Sequence, residues 1–135
     1  TAEELGFGYR RSVIPERKLI ALEAELELTE GREEEIRARM EELAALRREK
    51  QPLEYPSAGS TFKRPEGYFA GTLIEQTGLK GLTVGGAQVS TKHAGFVINV
   101  GGATSADVEE LIRQVQQAVY AAHGVHLEPE VRIVR

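Results

Sequence analysis

The strongest constraint on the fold is one amphipathic helix, predicted over residues 104–124. Thr104 or Ser105 can cap its first turn, and Gly124 can end it in a left-handed conformation. Apolar residues recur on one face at helical spacing, namely Val108, Leu111, Ile112, Val115 and Val119. Because such a stripe has to be buried, the chain needs a second layer that covers it.

Shorter patterns before and after this helix supply the second layer. The segments TVGGAQVS (83–90) and GFVINVGG (95–102) predict two short strands edged by glycines. Residues 69–81 predict a short helix capped by Gly78, and residues 125–135 predict a final strand interrupted at Pro129. This order predicts an α+β fold, a small mixed or antiparallel sheet with packed helices.

The first part of the chain has a different pattern. Residues 19–28 alternate leucine or alanine with glutamate, which predicts a half-buried strand. Residues 32–50 predict a helix with acidic residues at its start and basic residues at its end. Residues 51–68 contain three prolines and two glycines, which predicts a loop and a module boundary.

The composition argues against several classes of protein. A net charge of −4 is unlike that of a general nucleic-acid binder, and the absence of cysteine excludes disulfides and thiolate metal sites. The three histidines lack the spacing of a helical zinc site. No apolar run approaches the roughly 20 residues of a membrane span. We therefore expect no metal, no nucleic acid and no membrane among the partners.

The segment PSAGSTFKRP, residues 56–65, has two interpretations. Small polar residues between prolines are typical of a turn. The segment matches neither a phosphate-binding P-loop nor a nucleophile elbow. A hydroxyl at Ser60 with Lys63 nearby could instead donate a proton or hydrogen-bond an anion.

The segment GFGYRRS, residues 6–12, suits an anionic ligand. It places Tyr9 beside Arg10, and guanidinium groups bind phosphate and carboxylate groups through paired hydrogen bonds. A solvated loop is the alternative interpretation.

The segment EPEVR, residues 128–132, contains two carboxylates separated by Pro129. Glu130 lies two residues before Arg132, so a surface ion pair is the alternative to a functional pair of acids. From these residues alone, the sequence predicts a soluble α+β domain with an anion-binding face.

Taken together, these segments resemble one protein family. LGFGYRRS, PSAGSTFKRPEGYFAGTLIEQTGLKG, VGGAQVSTKHAGFVINVGGAT and LEPEVRI occur in the order seen in bacterial UDP-N-acetylenolpyruvoylglucosamine reductases (MurB). The resemblance extends from about Leu5 to the last residue. The short region between Lys63 and Ala70 is similar to the shorter-loop branch of the family.

The resemblance implies a cytoplasmic flavoprotein of peptidoglycan synthesis, and through it a part in cell shape and cell division. The cofactor would be FAD, and NADPH would be the hydride donor. The substrate would be UDP-N-acetylglucosamine enolpyruvate, reduced to UDP-N-acetylmuramate. The alternative is a non-catalytic module that binds a sugar nucleotide and acts only with a partner chain.

The resemblance also implies roles for single residues. Ser60 would be the general acid, and Arg10 and Glu130 would act with it on the substrate carboxylate as negative charge develops. Contacts to the substrate are implied for Tyr9, Lys50, Lys63, His93 and Arg132. Contacts to the cofactor are implied for Gly59 and Ser57. Arg64 stands where the family commonly has an asparagine that contacts the nucleotide, so that contact is not carried over.

The same resemblance implies two domains. Residues 1–50 would be the C-terminal part of an FAD-binding domain, a strand plus a helix. Residues 51–135 would be the substrate-binding C-terminal domain. The missing N-terminal FAD-binding region of the same protein would be the partner of this chain, which would be inactive alone.

Overall fold

The computed structural model describes residues 1–134. Its contacts divide the chain into two compact units, Thr1–Ile36 and a second unit that starts at Arg37. The boundary lies inside the long helix α2, which spans Glu33–Lys50 and confirms the helix predicted there.

The first unit contains little regular structure. The short helix α1 spans Val13–Glu16, and Gly8 and Arg11 form an isolated antiparallel bridge. The predicted strand over residues 19–28 is wrong, because these residues form no strand and their leucines are exposed. Alternation defines two faces, but a strand also needs a neighbouring strand for its N–H and C=O groups. Among the described residues, this unit offers none.

The second unit is built on a four-stranded antiparallel sheet, which confirms the predicted α+β fold. The strands are β1 (Ser57–Ser60), β2 (Thr83–Val84), β3 (Ala87–Val89) and β4 (Phe96–Asn99). Their order across the sheet is β1-β4-β3-β2, so β1 and β2 are the edge strands.

Three strand predictions need correction. The segment 83–90 is a hairpin of two strands, because Gly85 and Gly86 form a turn between β2 and β3. β1 lies in the segment predicted as a loop, where pairing with β4 outweighs the turn-forming composition. The described residues after 124 form no strand and only an isolated bridge between Phe62 and Pro129. Proline lacks the N–H that a continuous ladder would use.

Two helices cover the sheet and confirm the predictions. The helix α3 spans Ala70–Gln76 and the helix α4 spans Ser105–His123. Thr104 caps α4 in a reciprocal arrangement with Asp107, and Gly124 ends it with φ of 67°. The core joins both helices to the sheet through Ile74, Val89, Leu111, Val115 and Val119. Burial of each such side chain contributes about 1.5–3 kcal/mol of hydrophobic free energy.

The start of α4 is held against the β2–β3 hairpin by close backbone packing. A Cβ atom at Gly86 would lie 2.2 Å from the Gly101 carbonyl oxygen and 2.4 Å from the Ala103 nitrogen. Only glycine permits this approach, because no real Cβ atom tolerates such contacts. The hairpin therefore positions the loop that leads from β4 into α4.

Candidate functional site

β1 carries Ser60 at the edge of the sheet. Ser57 lies opposite Ile98 and Ser60 opposite Phe96, so β1 contains one residue more than β4 over the same stretch. Gly59 adopts φ of +86°, which favours glycine, and nothing lies within 4 Å of the position that its Cβ would occupy. Bulges of this kind redirect side chains at sheet edges. The sequence SAGS therefore produces an irregular edge with open space beside Gly59.

Ser60 lines a polar cleft of about 490 Å³, within the usual size range of ligand sites. The cleft is formed by the end of α2, the following loop, β1 and the start of β4. Its polar lining residues are Arg47, Gln51, Tyr55, Ser57 and Ser60. The structure therefore brings the predicted residues Ser57, Gly59 and Ser60 to one cavity.

Sequence reasoning missed the α2 side of this cleft. Arg47 is one of the basic residues in the last turn of α2, and it lines the cleft together with Gln51. Arg47 Nε donates a hydrogen bond to Gln51 Oε1 at 3.2 Å. Their four-residue spacing places them on one face of the helix end, and this is the signal that could have identified them.

The Glu128–Glu130 segment runs beside the residues that follow Ser60. The Lys63 N–H donates to the Glu128 carbonyl at 2.8 Å, and the Glu130 N–H donates to the Thr61 carbonyl at 2.8 Å. Two segments that are far apart in the sequence are thus held together by backbone hydrogen bonds. The predicted general acid and the predicted acidic partner lie on these adjoining segments.

The two carboxylates of EPEVR lie in different environments. Glu128 is exposed, and its carboxylate forms an ion pair with the Lys63 ammonium group. Glu130 is half-buried, and its Oε2 atom is shielded from solvent. Glu130 is therefore the better placed of the two acids for chemistry inside a closed site.

The other predicted contact residues of the second unit are more dispersed. Lys50 and Arg132 are exposed and lie outside the lining of the polar cleft. His93 accepts a hydrogen bond from the Gly95 N–H through Nδ1 at 3.1 Å, and its ring meets Phe96 edge-on. Since Phe96 lines the cleft, His93 supports the wall.

Tyr9 and Arg10 belong to the first unit. Arg10 adopts φ of 57°, a left-handed conformation that is uncommon outside glycine. Its guanidinium carbon lies 5.9 Å from the centre of the Tyr9 ring. The two predicted residues thus lie together on an exposed turn.

Arg64, the position that differs from the family pattern, stacks on an aromatic ring. Its guanidinium carbon lies 4.0 Å from the centre of the Phe69 ring, within cation–π range. The arginine therefore packs against the residue that precedes α3.

A second cleft of about 380 Å³ lies between β1, β4 and the start of α4. Its lining is mainly apolar and includes Ala58, Val97, Ile98, Ala103 and Val108. Ser57 borders both clefts.

Two further properties of the described residues bear on function. No helix among them is both long enough and apolar enough to cross a membrane. Within residues 1–134, no group of three or more histidine, cysteine or acidic side chains is placed to hold a metal ion.

Comparison with known proteins gives one consistent result. Residues 51–134 match the family described as UDP-N-acetylenolpyruvoylglucosamine reductase, C-terminal domain. Reductases of that name from Clostridioides difficile and Pediococcus pentosaceus are each 58% identical to this chain, over 98% and 97% of its length. The crystal structure of MurB from Thermus caldophilus matches with a TM-score of 0.81 at 42% identity, over 98% of this chain.

The chain spans less than half the length of these relatives. It covers 43% of the Clostridioides difficile protein, 44% of the Pediococcus pentosaceus protein and 47% of the Thermus caldophilus chain.

Proposed function

This chain belongs to the UDP-N-acetylenolpyruvoylglucosamine reductase family, and we propose that it is part of a reductase of that name. The reaction would be the NADPH-dependent reduction of UDP-N-acetylglucosamine enolpyruvate to UDP-N-acetylmuramate in cytoplasmic peptidoglycan synthesis. The observation that carries the proposal is 58% identity over nearly the whole chain. A polar cleft at Ser60 supports it.

Part of the cofactor site lies at Gly59 and Ser57. The open space beside Gly59 allows a planar group to approach the backbone, and Ser57 lines the same cleft. Ser57 and the open backbone at Gly59 would contact FAD here. The cofactor, when bound, would supply the hydride chemistry. The remainder of its site would lie in the part of the relatives that this chain does not span.

Ser60 is the proposed proton donor. Saturating the enolpyruvyl double bond adds a hydride to one carbon and a proton to the other, so an acid must face the second carbon. Ser60 is exposed at the end of an edge strand and lines the polar cleft. Its hydroxyl would deliver the proton, and solvent would restore it.

Glu130 and Arg10 are proposed to act on the substrate carboxylate, next to which negative charge develops during reduction. Preorganised charges and hydrogen bonds stabilise such a state most when water is excluded. Glu130 is half-buried, and its backbone N–H is bonded to Thr61, the residue after Ser60. Further substrate contacts are proposed for Tyr9, Lys50, Lys63, His93 and Arg132.

The proposed domain boundary lies between residues 50 and 51. The matched C-terminal family domain begins at residue 51, and residues 1–50 would complete an FAD-binding domain. The two compact units of the structure meet in sequence at a different point, between Ile36 and Arg37 inside α2.

The test of the proposed proton donor is Ser60→Ala in the full-length protein. We expect NADPH to reduce the flavin at nearly the wild-type rate. Reduction of the enolpyruvate should slow by roughly 10²–10⁴-fold, the usual cost of removing a general acid. Rapid mixing of each half-reaction separates the two rates.

The matched control is Ser105→Ala in the first turn of α4, where the hydroxyl contacts Glu109. It should leave both half-reactions unchanged. Equal losses in the two half-reactions of Ser60→Ala would refute the proton-donor role.

A second candidate function is a sugar-nucleotide-binding module that works only with a partner chain. The coverage of less than half of each relative favours it for this chain taken alone. Calorimetric binding of a UDP-sugar to this chain, without turnover, would support it.

A further inference from the structure

Thr61 is one of two buried polar side chains in the described part of the chain, with 3% of its surface exposed. It makes three hydrogen bonds. Its N–H donates to the Gly95 carbonyl at 2.8 Å, and its carbonyl accepts from the Glu130 N–H at 2.8 Å. Its Oγ1 accepts from the Val97 N–H at 3.0 Å. Thr61 therefore joins the β4 region to the Glu130 segment immediately after Ser60.

The side-chain bond lies where the β1–β4 register changes. Ser60 stands opposite Phe96, and the next β4 residue, Val97, donates to a side-chain oxygen of Thr61. A slip of one residue in a strand turns its side chains to the opposite face. The Thr61 hydroxyl is thus bonded to β4 next to the place where the register shifts.

We propose that Thr61 is a positioning residue, which orients Ser60 through the Val97 hydrogen bond and holds Glu130 through its own carbonyl. This inference rests on the proposed function of Ser60 and Glu130. Thr61 itself is buried directly after β1, so its part is to hold two neighbouring groups in a fixed relation.

The residue type fits this role. A β-branched side chain has a restricted χ1 angle, and the threonine hydroxyl provides the buried acceptor. Valine has nearly the same shape but lacks the acceptor. Thr61→Val therefore leaves the Val97 N–H without its acceptor. Serine keeps the oxygen, so Thr61→Ser should preserve the bond.

The first experiment compares these variants in the full-length protein. Thr61→Val should slow enolpyruvate reduction by roughly 10–100-fold, since small misplacement of a reacting group has costs of that order. Flavin reduction by NADPH should stay near the wild-type rate, and Thr61→Ser should restore most of the lost activity. Hydrogen exchange at the Val97 amide should become faster in Thr61→Val.

The control is Thr77→Val, which removes a partly buried hydroxyl elsewhere in the chain. Thr77 Oγ1 donates to the Leu73 carbonyl at 2.7 Å in α3, away from β1. It should leave both half-reactions unchanged. If Thr61→Val does not fold, Thr61→Cys serves instead, because its sulfur is only a weak acceptor and a partial loss is expected.

The second experiment combines Thr61→Val with Ser60→Ala. If Thr61 acts through Ser60, the double variant should be no slower in enolpyruvate reduction than Ser60→Ala alone. Fully additive losses, or an unchanged Val97 exchange rate, would overturn the inference. If Ser60→Ala reduces the enolpyruvate slowly while Thr61→Val reduces it at the wild-type rate, the positioning role of Thr61 is overturned and the proton-donor role of Ser60 stands. A fully active Ser60→Ala would overturn the proposed proton donor, and this inference with it.

Discussion

Ser60 and Thr61 are neighbours in the sequence but have opposite surroundings. Ser60, the last residue of β1, is exposed beside the polar cleft, while Thr61, the first residue after the strand, is buried and its hydroxyl accepts a hydrogen bond from the Val97 N–H. A hydroxyl in the first position is accessible to a substrate, and a hydroxyl in the second must be satisfied inside the protein. At the scale of single residues, burial thus separates a group available for chemistry from a group that holds structure.

Glu130 provides a prediction at the same scale. Glu130→Gln in the full-length protein keeps the size of the side chain but removes its charge. We expect enolpyruvate reduction to slow by about 10-fold or more, with flavin reduction unchanged, because the carboxylate would act only in the later half-reaction. Stopped-flow measurement of each half-reaction checks this.

Glu128→Gln is the control for Glu130. Its carboxylate pairs with Lys63 at the surface, and exposed ion pairs contribute only about 0–1 kcal/mol. It should leave turnover close to wild type. Wild-type turnover in Glu130→Gln together with slow turnover in Glu128→Gln would transfer the role to Glu128.

At the scale of elements, the N-terminus of α4 is fixed by reciprocal hydrogen bonds. The Thr104 N–H donates to Asp107 Oδ2 at 2.8 Å, and the Asp107 N–H donates to Thr104 Oγ1 at 3.2 Å. The hydrogen bond from the Thr104 N–H is the main reason why the pKa of Asp107 lies below its ordinary value. The ionised carboxylate is therefore the form that stabilises the helix start.

This shift predicts how Asp107→Asn depends on pH. Because the pKa of Asp107 is lower in the folded protein than in the unfolded chain, its carboxylate stabilises the folded state at pH values above its ordinary pKa of about 4. This stabilisation is lost as the pH falls through the pKa of the folded protein. At neutral pH, the Val108 amide, which donates to the Thr104 carbonyl, should exchange faster in Asp107→Asn than in wild type. The ratio of the two rates should approach one below the folded pKa.

Glu66→Gln, an exposed change in the loop before α3, is the control for Asp107→Asn and should leave this ratio at one throughout. A ratio for Asp107→Asn that does not change with pH would show that the carboxylate charge does not stabilise the cap.

At the scale of the whole molecule, the two compact units differ in how completely their apolar side chains are buried. The second unit has a continuous core of sheet and helices. In the first unit, Ile20, Leu22, Leu26 and Leu28 are largely exposed. Large exposed apolar surfaces are typical of interaction sites.

The prediction at this scale concerns cofactor retention. Purified alone, this chain should be colourless, because Gly59 and Ser57 offer only one face of the proposed FAD site. The full-length protein, prepared in the same way, should be yellow. Visible absorbance of the two preparations checks this, and stoichiometric flavin in the isolated chain would contradict it.

The sequence by itself determined the three longer helices and the family, but not the short helix α1. α2, α3 and α4 were predictable because helical periodicity, caps and stop signals act between residues a few positions apart. The ordered motifs around Ser60 and Glu130 identified the family without any knowledge of the sheet.

Only the tertiary structure decided the strands and the cleft. β1 exists because β4 lies beside it, and residues 19–28 alternate without becoming a strand because none of the described residues pairs with them. Arg47 reaches the cleft of Ser60, and Thr61 binds Val97 and Glu130, through contacts between distant parts of the chain. Strand pairing and cavity lining depend on such contacts, which no local pattern of residues specifies.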